Sequence, residues 1–403
     1  MLGWTSRASM AESPTTQELD WPCWRGPTRD GMFAGSLPKS LTQFKSDWSI
    51  TLDDSYSGAV VVGDRVYVTE TVNKSDETLI AVSRASGEVI WKKQWQGAIT
   101  VPFFAKSNGD WIRSTPATNG KQIVVGGMRD VIACFDCETG QESWRIDFHE
   151  QSGVELPAFG LVCSPLIDGD YVYVQAGGGV RQIRLSDGNL GWLALKETGG
   201  MMGGAFSSPV IQTIAGVRQL VVATRDALAG IDLESGALLW QREIKTFRGM
   251  NILTPTVWEN QVFSSSYGGR SELIRLSPAA DSNWGTETVW QGKSEAYMSS
   301  PIVIGNHAYL HLKNQRVCCV DLVSGEETWR TQPFGKYWSM VSDGERILAL
   351  DEVGKLYLLA ANPTEFELLD ELEVSDSPCW AHLAVTPQDI FIRTQKGLKR
   401  YLA

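Results

Sequence analysis

Two cysteine pairs are the first residues in this chain that could do chemistry. Cys134 and Cys137 have the Cys-x-x-Cys spacing of a redox pair, and Cys318 and Cys319 are adjacent. A reactive thiol needs a helix N-terminus or a nearby cation to lower its pKa. Cys134, however, ends the β-rich run Val131-Ile132-Ala133-Cys134, and Cys137 falls in the turn beyond it. Neighbouring residues of a strand point to opposite faces, which disfavours a bridge between Cys318 and Cys319. Buried thiols are the expectation for both pairs. The seven cysteines are an odd number, so at least one is unpaired. His149, His307, His311 and His382 are scattered. His307 and His311 share a strand face but stand well apart, so no metal site is expected. Serine-nucleophile and phosphate-loop motifs are missing, and Gly177-Gly178-Gly179 reads as a turn between strands.

Anion or partner binding is the second chemistry available. Short turns between β-rich runs carry Arg129, Arg181, Arg225, Arg270, Arg316, Lys355 and Lys396, and longer connections add Arg113, Arg248 and Lys336. The same connections hold Phe103, Phe104, Trp111, Phe159, Met201, Met202, Phe206 and Trp338. Apolar residues gathered in loops mark a binding face or a packed plug. The pattern predicts a cationic, aromatic funnel on a chain of net charge −11, which would attract an anionic small molecule or an acidic partner segment. Its candidate residues are Arg113, Trp111, Arg129, Arg225, Arg248, Arg270, Lys336, Trp338 and Phe206. The competing expectation is a solvated rim whose cations pair with Asp130, Asp226 and Glu352. Convergence of Arg113, Arg248 and Arg270 on one face separates the two.

The elements that must position these residues repeat. Tryptophan follows glycine by four places at Gly87/Trp91, Gly140/Trp144, Gly188/Trp192, Gly236/Trp240 and Gly325/Trp329, with Trp48 before the series and Trp290 inside it. Successive tryptophans lie 43, 53, 48, 48, 50 and 39 residues apart, the mark of a repeat architecture. Before each glycine comes a short apolar strand, and before that two β-rich runs around a tight turn, as in Val60–Val68 across Gly63-Asp64. Small hydroxyl residues beside proline open the units: Thr115-Pro116, Ser164-Pro165, Ser208-Pro209, Thr254-Pro255 and Ser300-Pro301. Each unit is thus four antiparallel strands, and eight openings are counted, near Ser57, Ser114, Ser164, Ser208, Thr254, Ser300, Ser339 and Ala381. The seventh unit lacks the tryptophan and the eighth lacks an outer strand, which the orphan strand near Trp48 can supply. The expected fold is an all-β, eight-bladed β-propeller whose ring is closed by the N-terminal strand, leaving no exposed edges. Trp91, Trp144, Trp192, Trp240, Trp290 and Trp329 are expected to dock one blade on the next.

Residues 1–20 are polar, without β pattern, and are expected to form a disordered arm; residues 21–403 form one propeller. Hydrophobic content of 43% and 39 glycines suit a turn-rich globule. The acidic balance excludes a nucleic-acid footprint, and no apolar run is long enough for a membrane span.

The Gly-x-x-x-Trp units in this strand setting resemble the pyrroloquinoline-quinone (PQQ)-type propeller repeat. That quinoprotein-like group includes quinoprotein alcohol dehydrogenases and the outer-membrane assembly lipoproteins of the bacterial β-barrel assembly machinery. The resemblance covers about residues 21–403. The segment Trp21-Pro22-Cys23-Trp24-Arg25-Gly26-Pro27-Thr28-Arg29-Asp30-Gly31 looks like the start of propellers common in planctomycete-type bacteria. The dehydrogenase branch implies PQQ held with Ca²⁺, a catalytic Asp, a Trp floor and a vicinal-disulfide roof. This chain is shorter than those enzymes and shows no matching set. The leading expectation is therefore a non-catalytic, monomeric scaffold without cofactor, offering its loop face to a protein partner or anionic ligand. A small PQQ-dependent oxidoreductase is the alternative. A carbohydrate-associated propeller, stacking sugars on Trp111, Trp338 and Phe206, is a third. The resemblance implies a periplasmic protein, yet no export signal is visible, and the odd cysteine count leans towards the cytoplasm.

Overall fold

Thirty-two strands form eight four-stranded antiparallel sheets in a computed structural model that describes residues 20–279 and 283–402. Seven blades are consecutive in sequence. Their inner strands are Val60–Val62, Ala117–Thr118, Leu166–Asp168, Val210–Ile214, Thr256–Trp258, Ile302–Ile304 and Trp338–Ser342. The eighth blade joins Ala384–Val385, Asp389–Thr394 and Gly397–Leu402 to Ser46–Thr51, and the N-terminal strand closes the ring as its outer strand. The fold is the eight-bladed propeller that the repeats predict. The expected arm lies outside the described residues except for Asp20, whose carboxylate accepts from the Gly63 amide at 3.1 Å.

The pairing of third and outer strands explains the tryptophan period. It shifts register at Ala81/Val82, Cys134/Phe135, Gly230/Ile231, Leu273/Ile274 and Cys319/Val320, beside the partners of Trp91, Trp144, Trp240, Trp290 and Trp329. A bulge twists the strand locally and re-aims the side chain, turning the indole towards the next blade. There the Trp144 Nε1–H donates to the Leu185 carbonyl at 2.7 Å, and its ring lies on Gly188. Gly188 has φ +74°, and a Cβ there would stand 2.8 Å from the indole, so the turn needs glycine for both its hand and its flatness. Trp48, Trp91, Trp192, Trp290 and Trp329 likewise donate to next-blade carbonyls, those of Arg84, Cys137, Leu233, Leu322 and Asn362.

Trp240 departs from the expected pattern. Its Nε1–H turns back to Gln219 Oε1 in its own blade at 2.7 Å. The fifth blade has no Gly-x-x-x-Trp turn to receive it; instead Trp284 packs with Trp240, Ile274 and Leu276. Residues 280–282 of that stretched connection lie outside the described residues.

Candidate functional site

Each blade opens with a small hydroxyl residue because that residue stitches it to its neighbour. The Gly58, Thr115 and Ser164 amides donate to the hydroxyls of Thr115, Ser164 and Ser208 at 2.9, 3.0 and 3.0 Å. Thr254 donates to Ser300 at 3.0 Å, while Trp338 and Leu383 point the other way, to Ser299 and Ser339. Inner-strand starts cannot pair edge to edge around an axis, so side-chain oxygens satisfy their amides.

The axis itself is filled by the chain's own N-terminal segment. Trp21 pairs backbone to backbone with Val61 at 3.0 and 2.9 Å, and Thr118 N donates to the Pro22 carbonyl. The segment then turns through positive φ at Arg25, Gly26, Arg29 and Gly31 and returns beside the seventh blade, where Phe33 N donates to Ser342 O at 2.7 Å. Arg25 and Arg29 are buried at the tip. Arg25 donates to the carbonyls of Asp30 and Pro301, and Arg29 to those of Pro165 at 2.7 Å and Ser164 at 3.0 Å. Burial lowers both guanidinium pKa values, that of Arg25 to about 10. Trp24 lies beneath both cations, at 5.5 and 5.8 Å, and meets His382 edge-on. Burial, helped by Arg25, drops His382 to about 3, so its ring is neutral at physiological pH.

This plug turns the channel into a blind funnel of about 640 Å³ opening on the crossover-loop face. Trp24, Thr115, Ser164, Ser208, Ser300 and His382 line its deep part. One wall stacks Tyr56 on Trp380 at 5.0 Å and Tyr337 on Trp380 at 6.0 Å. The opposite wall is a ladder of Phe104, Phe159 and Phe206 with Met201, Met202, Met250 and Met298.

The structure brings together part of the residue set expected from sequence. Arg113, Arg225, Arg248 and Phe206 line the funnel. Arg225 is buried 4.1 Å from the Phe206 ring and donates to the carbonyls of Gly249 at 2.8 Å and Arg248 at 3.1 Å, so it knits two crossover loops. Arg113 donates through Nη2 to Gly109 and Asn108, and its Nε has no partner. Arg248 is exposed over Phe247.

The rest are placed elsewhere. Trp111 stands behind Tyr56, edge-on at 5.4 Å. Arg129 pairs with Glu150 at 3.2 Å outside the cavity. Arg270 and Lys336 are exposed and do not line it. Trp338 is no rim residue: it is buried on the inner strand of the seventh blade between His311 and Tyr357, because the crossover ends one residue earlier, at Tyr337. Of the other turn cations, Lys355 pairs with Glu371, Lys396 approaches Asp54, and Arg181 and Arg316 donate to the Gly177 and Thr331 carbonyls. Sequence reasoning missed Trp24, Tyr56, Trp380 and His382. The Ser/Thr-Pro openings are the visible signal for the funnel's hydroxyl floor.

The thiols are structural. All seven cysteines are unbridged and buried. Cys318 and Cys319 belong to different cores on opposite faces of their strand, and burial pushes Cys134 up to about 12. Among the described residues no cluster of three His, Cys, Asp or Glu side chains could hold a metal. Among the described residues no carboxylate lines the funnel, so a Ca²⁺ ion beside a quinone would find no anionic ligand from them there.

Comparisons agree with this architecture. Outer membrane protein assembly factor BamB of Yersinia pestis is 20% identical over 266 residues, a match covering 61% of this chain and 63% of that protein, a little under two thirds of its length. BamB of Shewanella oneidensis is 21% identical over 347 residues, 79% of this chain and 78% of that protein. The crystal structure of BamB from Moraxella catarrhalis superposes with a TM-score of 0.64 at 14% identity, over 89% of this chain and 98% of that one. A europium-containing methanol dehydrogenase gives 0.53 at 11% identity over 95% and 98%, a likeness of fold. The family described as outer membrane protein assembly factor BamB matches residues 75–331, well over half of the 403, and the chain belongs to that family.

Proposed function

We propose that the protein is a non-catalytic propeller that presents its crossover-loop face to a partner protein in outer-membrane protein assembly, from the periplasmic side. One observation carries this reading: the apolar arc at the funnel mouth. Phe103 is 83% exposed, and Phe104, Met201, Met202 and Phe247 are all about half exposed. Large aromatic and methionine side chains gathered on one rim mark a binding surface, and methionines adapt to a partner's shape. The names of the family and its relatives supply the assembly setting. The quinone-enzyme alternative is disfavoured by the back-to-back cysteines and by a funnel lining without a carboxylate among the described residues. The sugar-stacking alternative is weakened because, of its three platforms, only Phe206 lines the funnel.

Photo-crosslinking tests the reading. A benzophenone amino acid at position 103 or 202 should trap an assembly partner, whereas one at exposed Val323, on the opposite face, should not. Equal trapping at both faces would sink it. Titration with PQQ and Ca²⁺ beside a dye-reduction assay checks the non-catalytic part, and turnover would overturn it.

A further inference from the structure

The funnel's depth carries a feature that a partner-docking rim does not need. Thr115, Ser164, Ser208 and Ser300 each use an oxygen lone pair to accept a neighbouring amide. Their hydroxyl protons have no acceptor among the described residues, and all four side chains line the cavity. Arg113 stands directly before Ser114-Thr115 in the chain and lines the same cavity. It forms no ion pair among the described residues; its Nη2 donates to the Asn108 and Gly109 carbonyls, and its Nη1 donates to nothing among them. The result is a floor with free hydroxyl protons beside a cation whose hydrogen bonds end on loop carbonyls. A largely buried cation whose hydrogen bonds go to backbone carbonyls favours taking up an anion. Above this floor the walls are aromatic and methionine-rich, ending in the exposed Phe/Met arc at the mouth. The volume of about 640 Å³ falls in the range of small-molecule sites, which are largely apolar with a few convergent polar groups. The Trp21–Phe33 plug closes the far end, so a ligand enters and leaves by the loop face alone.

We infer that the funnel is a binding site for an amphiphilic carboxylate, its head at Arg113 beside the neighbouring Thr115 and Ser164 hydroxyls and its aliphatic body along the methionine wall. The charge of Arg113 selects an anionic head over a neutral sugar. The flexible thioethers of Met201, Met202, Met250 and Met298 adapt to an aliphatic body. This site lies inside the rim and goes beyond partner docking, so the two fail separately: crosslinking at position 103 reports the rim and ligand titration the depth.

Quenching of tryptophan fluorescence, with Trp24 and Trp380 in the cavity wall, reads the test. Decanoate should bind saturably and about tenfold or more tighter than 1-decanol, the same body without the charge. Arg113→Gln should remove that preference while leaving decanol binding in place. Met298→Trp, which fills the cavity from a different loop, should abolish both, and the melting temperature of each variant verifies folding. Equal binding of acid and alcohol, a preference retained in R113Q, unchanged binding in M298W, or no saturable binding by the wild type would each overturn the inference.

Discussion

Arginines of the plug and arginines of the rim make opposite uses of the same guanidinium group. Arg25 and Arg29 are buried, and between them they donate to four backbone carbonyls drawn from the plug and from the third and sixth blades. Arg248 and Arg270 are exposed and donate to nothing among the described residues. Arg113 and Arg225 stand between, tied to loop carbonyls but open to the funnel. A cation shut inside the protein is a staple; one whose side chain still faces the funnel is a site. The charge alone distinguishes neither.

Closing that gap should have the largest effect. The double variant Arg25→Met/Arg29→Met leaves buried carbonyls unpaired at about 1–3 kcal/mol each, so thermal unfolding should shift more than for any pair of rim substitutions. A shift no larger than that of a rim variant would break the contrast between plug and rim. Next comes Trp144→Ala, which removes an interblade indole and its bond to Leu185; denaturant unfolding should show a loss of about 3–5 kcal/mol.

A smaller, pH-dependent effect follows from Glu77, buried between the first two blades. It accepts from the Met128 amide at 2.8 Å and the Trp95 indole at 3.0 Å, with no cation paired to it among the described residues. Burial raises its carboxyl to about 7 from 4.5, against the lowering influence of those two donors. Asp130, also buried, is raised to about 7 for the same reason. A carboxyl raised on folding contributes stability that is full below its unfolded value and is lost as pH rises through about 7. Melting temperature should therefore be higher near pH 5 than near pH 8, and Glu77→Gln should flatten that slope. The smallest effect is expected at Arg270→Gln: stability within about 0.5 kcal/mol of wild type and unchanged decanoate binding. An effect there equal to that of R113Q would erase the line between funnel and rim.

The blades are legible because a strand, a tight turn and a docking indole are local demands that recur with the repeat. Gly188 and Trp192 belong to one turn, and their spacing survives without reference to anything distant. Even the closing strand can be read, since Trp48 has no blade of its own and the last blade has no outer strand. Trp240 cannot be read in the same way. Its neighbour's stretched turn, more than thirty residues downstream, lacks the glycine that would have received it.

The candidate site divides along the same line. Loops rich in Phe, Met and Arg point to the crossover face, and Arg113, Arg225, Arg248 and Phe206 do meet there. Trp338 is misread from sequence because one residue of register separates a loop tip from an inner strand, and alternation then sends the ring inward.

The sequence by itself determined the blade, its repetition, the ring closure and the face on which the long loops gather, because period and turn chemistry are encoded within each unit. Only the tertiary structure decided that Trp21–Phe33 fills the axis, that the hydroxyls opening the blades share one floor, and which arginines still face the funnel. Those outcomes depend on carbonyls and side chains that lie more than a hundred residues apart in the chain, as Arg29 and Pro165 do, and become neighbours only when the ring has closed.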